Sequence, residues 1–319
     1  MNNTKELTTS AIMAAMALFI AVILYYIPMP LYFLVAIPLA VVGILHGMKN
    51  QALALVACLA ILALWDPMYS ISLLFLVGPL SFIMSYCIKR KKPMSHGIFL
   101  GGLGVMFGMI LLILTIQVTL DIDLIDNFKT LTDTTLDEVH DFYAESSILS
   151  DEEKMDLSVL IQDQKTAIKL MMPSFLFIFS LASSCLAMVF AKLIFKRTGI
   201  EMRVGSFKDF RINQDLRNII FIVILVVAAG AFIDKANSDL YSTNAMILLL
   251  SLLQINGLSL IWYKTHGVMN GKGLRVIVIV AYIISGLLGS IGFMAKMALG
   301  VVGFLDMHLD FRKRKKSIQ

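Results

Sequence analysis

The sequence predicts an all-α fold: a polytopic transmembrane helical bundle of about ten helices, within a range of eight to ten. Three observations predict it. The chain of 319 residues is 58% hydrophobic and 15% charged, with a mean hydropathy of +0.83; a soluble domain carries about 25% charged residues. Its apolar runs recur at bilayer length, for which a helix needs about twenty residues. Its charges are segregated: residues 121–164 hold 13 of the 22 acidic residues and only two basic ones, Lys129 and Lys154.

The first run, 9–27, carries small side chains on one side: Ser10, Ala14, Ala17 and Ala21 follow i, i+4, i+7, i+11, and Ala11 and Ala15 widen the stripe. Runs at 31–47, 51–65, 69–88 and 96–120 follow. Pro38 and Gly78-Pro79 are helix breakers within them. In the fifth run Gly97, Gly101, Gly104 and Gly108 supply GxxxG-type steps that let helices approach closely. Tyr25, Tyr26, Tyr32, Trp65 and Tyr69 share one boundary level, where aromatic rings anchor at the headgroups.

The acidic stretch 121–164 is too long for a simple turn. Leu131, Leu136, Val139 and Phe142 punctuate it at rough helical spacing, so one or two amphipathic helices are expected, with a solvated loop as the alternative. Runs at 166–195, 217–233, 242–263, 274–289 and 291–307 complete the set. The last two are one long helix or two short ones, with the break near Gly286, Gly289 and Gly292. Charge decides. The positive-inside rule puts Lys49, Lys89–Lys92, the 196–216 connection and the C-terminal basic tail in the cytoplasm. Only two spans after Arg275 return that tail, so ten helices with both termini cytoplasmic are expected, in a cell membrane. Phe207, Phe210 and Ile212, beside basic residues, suit a short interfacial helix.

The expected organisation is a five-helix region at 1–120, the acidic extracytoplasmic loop at 121–164, a second five-helix region at 165–309 and a basic cytoplasmic tail at 310–319.

Most chemistry is excluded. Each basic cluster abuts a hydrophobic run, which fits topology and not nucleic acid. Cys58, Cys87 and Cys185 lie in or beside apolar runs without metal or disulfide spacing, and the five histidines are scattered without HExxH. The stretch Gly267–Gly273 resembles a phosphate loop but is one spacer short, lacks the Ser or Thr, and follows no strand. No enzyme, cofactor or metal is expected.

The informative residues are polar ones at membrane depth, where burial costs free energy without partners. Lys296 is the foremost, either snorkelling to headgroups or a buried functional charge. Gln254 and Asn256 sit mid-run, either bonding neighbouring helices or lining a cavity, and Gln117 poses the same choice. With Asp66 at the outer boundary, Lys296, Gln254 and Asn256 form the candidate solute cavity. Asp306 requires a cation from another helix or caps the helix end.

The stretch Leu7-Thr8-Thr9-Ser10-Ala11-Ile12-Met13-Ala14-Ala15-Met16-Ala17-Leu18 resembles the first helix of the substrate-binding S components of energy-coupling-factor (ECF) vitamin transporters. The resemblance implies that the AxxxA pair, Ala11 and Ala15, docks on a membrane coupling subunit. The helix-docking face would be Ser10, Ala11, Ala14, Ala15, Ala17 and Ala21. More specifically, the N-terminal helix and the ending Gly303, Asp306 and Asp310-Phe311-Arg312 resemble the YybS family of bacterial membrane proteins. His308 stands where that family often has an aromatic residue. The expected function is a transport-related, small-solute-binding subunit or permease, working in the lipid bilayer with a coupling subunit or ATPase. The alternative is a non-transporting scaffold or regulator of envelope, sporulation or signalling machinery.

Overall fold

The computed structural model describes residues 2–27, 31–144, 150–198, 200, 202, 207–212, 214–266, 271–285, 289–309 and 311–312. Every regular element among them is helical. The chain forms two compact units, Met1–Val204 and Gly205–Gln319.

The first unit runs α1 (Asn2–Tyr25), a 3-10 turn (Leu31–Val35), α2 (Ala36–His46), α3 (Met48–Ala63), α4 (Pro67–Lys89), α5 (Met94–Leu120), α6 (Leu124–Ala144) and α7 (Asp151–Thr198). The second holds a 3-10 turn (Phe207–Asp209), α8 (Gln214–Ile233), α9 (Ser238–Lys264), α10 (Gly271–Ile284) and α11 (Gly289–Leu309). Each of the ten expected apolar runs falls on a helix, and 274–307 is two helices. The break expected at Gly286 and the basic tail from Lys313 lie outside the described residues.

Six helical stretches are long and apolar enough to cross a membrane: Glu6–Tyr25, Pro67–Lys89, Met94–Leu120, Glu152–Phe195, Ser238–Lys264 and Gly292–Leu309. The shorter apolar ones are Leu31–His46, Met48–Ala63 and Gly273–Tyr282. Large apolar side chains such as Phe19, Leu64, Phe107 and Phe232 are exposed on both units. That surface suits lipid, since a soluble protein rarely leaves apolar patches of this extent open.

In the first unit α2 is the central helix. Every residue from Ala36 to Gly43 is buried, as expected of a helix apolar on all sides. Gly47, at φ +92°, turns the chain directly from α2 into α3. That backbone region favours glycine. The stripe on α1 divides. Ser10, Ala17 and Ala21 are buried and Ala14 is packed against the same core, whereas Ala11 and Ala15 face outward. The buried part is therefore an internal packing face, and the Tyr69 hydroxyl donates to the Ala21 carbonyl at 2.8 Å.

The glycines of α5 serve two neighbours. A methyl at Gly101 or Gly102 would strike Ser184 or Leu181 of α7, and one at Gly104 or Gly108 would strike Ile83 or the Phe75 backbone of α4. Pro79 lacks an N–H, so the Phe75 carbonyl one turn before it has no helical donor. The Gly108 backbone closes over that same carbonyl.

The acidic insertion is a helical hairpin, and its second arm is continuous with a membrane helix. At 48 residues α7 is about 70 Å long, more than twice the hydrocarbon core. The boundary expected at 164/165 thus falls inside one helix, and the two units divide instead at 204/205. Lys165 pairs with Asp137 at 2.6 Å and Lys169 with Asp133 at 2.8 Å, joining the two arms. Ser150 and Glu153 form a capping box at the start of α7: the Ser150 N–H and hydroxyl both donate to Glu153 at 2.8 Å. These bonds hold the Glu153 carboxyl below its ordinary pKa of 4.5.

Candidate functional site

The second unit concentrates polar side chains inside apolar helices. Its frame is the crossing of α9 and α11, where glycine faces glycine. A methyl on Gly257 would strike the Leu299 carbonyl, and one on Gly303 would strike the Leu253 carbonyl. Such close backbones let side-chain amides reach main-chain groups on the next helix.

Gln254 and Asn256 lie two residues apart on α9 and so project in different directions. Both are buried. Asn256 donates to the Gly303 carbonyl at 2.7 Å and accepts from the Ile212 N–H at 3.3 Å. Its amide is spent on joining helices. Gln254 instead accepts from the Tyr282 hydroxyl of α10 at 2.8 Å. Over the Tyr282 ring, 5.6 Å from its centre, stands the ammonium of Lys296 on α11. Three helices thus bring Gln254, Tyr282 and Lys296 into one polar track. Lys296 is half-buried, seven residues into α11 and so about 10 Å along its axis. Among the described residues no carboxylate pairs with it.

Of the four expected cavity residues, Gln254 and Lys296 are linked through Tyr282, the member the sequence did not disclose. Asn256 faces elsewhere. Asp66 belongs to the first unit, where it caps α4 by accepting from the Tyr69 N–H at 3.0 Å. The Tyr25 hydroxyl also donates to it, at 3.2 Å. Those bonds make Asp66 a helix cap.

A second cluster lies toward the end of α11. Asp306 is buried, and its partner comes from its own chain: Arg312 folds back to donate through Nε at 3.1 Å, with Nη2 at 3.0 Å. Nη1 of Arg312 donates to the carbonyls of Lys208 and Phe210 at 2.7 and 2.8 Å. The Ser259 hydroxyl lies 2.6 Å from the Phe207 and Phe210 carbonyls, and the Tyr263 hydroxyl donates to the Arg312 carbonyl at 3.3 Å. The guanidinium also sits 5.7 Å from the Tyr263 ring centre. Arg312 thereby clasps the 207–212 segment to α9 and α11. That segment is one 3-10 turn held by its carbonyls, with Ile212 buried, where an interfacial helix was expected. Asp310 of the Asp-Phe-Arg element lies outside the described residues.

Sequence reading also missed Gln51, fully buried at the start of α3. Its amide donates to Ser81 at 3.2 Å and accepts from Ser85 at 2.7 Å, and it fills the space over Gly43. Three helices are stapled by one side chain. Among the described residues no group of three His, Cys, Asp or Glu is placed to hold a metal.

Apolar helices of membrane length and a lipid-suited surface define a multi-pass integral membrane protein. The chain belongs to the DUF2232 family, described as a predicted membrane protein, which it matches over residues 11–307. It is 25% identical to the uncharacterized protein YybS of Bacillus subtilis (strain 168), in an alignment covering 99% of this chain and all of that one. No solved structure matches it.

Proposed function

We propose that the protein is a transport-related membrane subunit that binds a small solute carrying an acidic group, and that it catalyses no reaction of its own. The carrying observation is Lys296: a half-buried ammonium within an apolar helix, set over the ring of Tyr282, whose hydroxyl bonds the buried Gln254. Burying a lysine at the centre of a bilayer costs about 2.5–3.5 kcal/mol on insertion scales. A cation kept at depth without a carboxylate beside it is suited to an anion that comes and goes. The track is amide, hydroxyl and ammonium, which matches a carboxylate or phosphate with further polar groups.

Under this reading the basic ends of the helices face the cytoplasm, and a coupling subunit or ATPase supplies the energy. The outward Ala11 and Ala15 of α1 are where a partner helix would dock. Five helices and the apolar part of α7 give the first unit six apolar helical segments, the number the S-component resemblance implies. The test is purification from native membranes followed by mass spectrometry of bound small molecules. Wild type should retain an acidic compound that Lys296→Met loses; identical profiles for the two would refute the reading.

The scaffold reading has one observation in its favour. On α6 the side chains of Phe128, Leu131, Val139 and Phe142 form an exposed apolar stripe on the face away from Asp133 and Asp137. Leu131→Lys with Phe142→Lys discriminates. Loss of a co-purifying protein with the small-molecule profile intact would favour the scaffold.

A further inference from the structure

We propose that the groove between α4 and α5, at the basic end of the first unit, binds one anionic glycerophospholipid, with an acyl chain in the groove and its phosphate on the Arg90–Lys92 turn. The groove has a volume of about 600 Å³ and is lined by Phe82, Ile83 and Tyr86 of α4, Leu103 and Gly104 of α5, and Met48 of α3. Its walls are almost wholly apolar, and Tyr86 and Leu103 are exposed along its open side. A free polar solute would find nothing there to fix its orientation. An acyl chain needs only shape.

The mouth supplies the selectivity. Tyr86 lines the groove, and the Arg90 guanidinium one turn later sits 6.0 Å over the same ring. One side chain thus joins the apolar slot to the first cation. The turn beyond is rigid: the Lys91 N–H donates to the Ile88 carbonyl at 2.9 Å and the Lys92 N–H to the Cys87 carbonyl at 2.8 Å. That pattern is a Schellman helix ending. Lys91 adopts φ +50° at the position where such endings usually place glycine. A lysine there holds positive charge at the mouth against the local backbone preference. From residue 31 to residue 120 the only acidic residue is Asp66, at the opposite end of α4, while Lys49, Lys89, Arg90, Lys91 and Lys92 cluster at this end. Basic sites of this kind between helices select anionic headgroups.

The experiment is native mass spectrometry of the full chain in detergent with equimolar phosphatidylglycerol and phosphatidylcholine of the same acyl chains. Wild type should retain one phosphatidylglycerol at least several-fold over phosphatidylcholine. Arg90→Gln with Lys92→Gln should bring the two lipids to parity, and Leu103→Trp should reduce retention of both. If Leu103→Trp does not fold, the charge variant alone decides. Parity in wild type, or an unchanged preference in the charge variant, would overturn the proposal. Lys296→Met should leave lipid selection intact, and its loss in that variant would place the lipid elsewhere and sink the idea.

Discussion

The two units join apolar helices in lipid by different chemistry. The first relies on small residues and close backbones: Gly101 and Gly102 toward α7, Gly104 and Gly108 toward α4, Ala17 and Ala21 inside α1. Gln51, Ser81 and Ser85 form a neutral, buried set whose members bond one another. The second unit brings glycine to glycine where α9 crosses α11. Beside that crossing it buries an ion pair and half-buries a lysine. Hydrophobicity does not separate helices from lipid tails, so both units need another cohesive force. Steric fit supplies it in one and polar bonding in the other. Lys296 differs from both: it stands over the Tyr282 ring and, among the described residues, has no carboxylate partner.

The comparison is most exposed to breakage at Arg312. Arg312→Ala would leave Asp306 as a buried, unpaired charge, and the second unit should lose about 3–5 kcal/mol. Thermal unfolding in detergent reads the loss, and protease cleavage between 205 and 213 reports release of the clasped segment. Adding Asp306→Asn should restore part of the stability; a double variant as unstable as the single would show that the carbonyl contacts of Arg312 dominate. Next in size, Gly108→Leu drives a side chain into the Phe75 backbone and should cost about 1–3 kcal/mol or more, read in the same unfolding assay.

Gln51→Leu should cost less, about 1 kcal/mol, because Ser81 and Ser85 keep backbone acceptors of their own at Gly78 and Phe82. A loss as large as that from Arg312→Ala would erase the distinction between the units. The smallest effect concerns the hairpin. The lowered pKa of Glu153 means that its capping contribution is present above pH 4.5 and is lost as pH falls through the lower folded value. Hydrogen exchange at the start of α7 should therefore rise in acid, and Ser150→Ala should flatten that dependence.

Much of this was legible in the sequence because bilayer length and charge segregation are strong, local signals. The ten apolar runs, the division of 274–307 into two helices and the amphipathic character of α6 all follow from them. The unity of α7 was not legible, since a helix that leaves the membrane changes composition from Ser150 to Phe195 without changing backbone. The candidate site was half legible. Polarity within apolar runs singled out Gln254, Asn256 and Lys296 alike, but only the direction of each side chain on α9 separates the amide bonded to Tyr282 from the one bonded to Gly303. Asp306 was seen to need a cation. Arg312 lay six residues away in a segment whose return path depends on tertiary contacts. Gln51 was overlooked because it stands at the start of a run, where polar residues usually meet water.

The central claim is that Lys296 serves binding and not cohesion, and the thermal midpoint of Lys296→Met in lipid nanodiscs tests it directly. Methionine keeps the length of the side chain and removes the charge. The account predicts a midpoint equal to or above that of wild type, because a half-buried cation that has no carboxylate partner among the described residues costs stability. A fall comparable to that caused by Arg312→Ala would make Lys296 part of the structural glue and contradict the account.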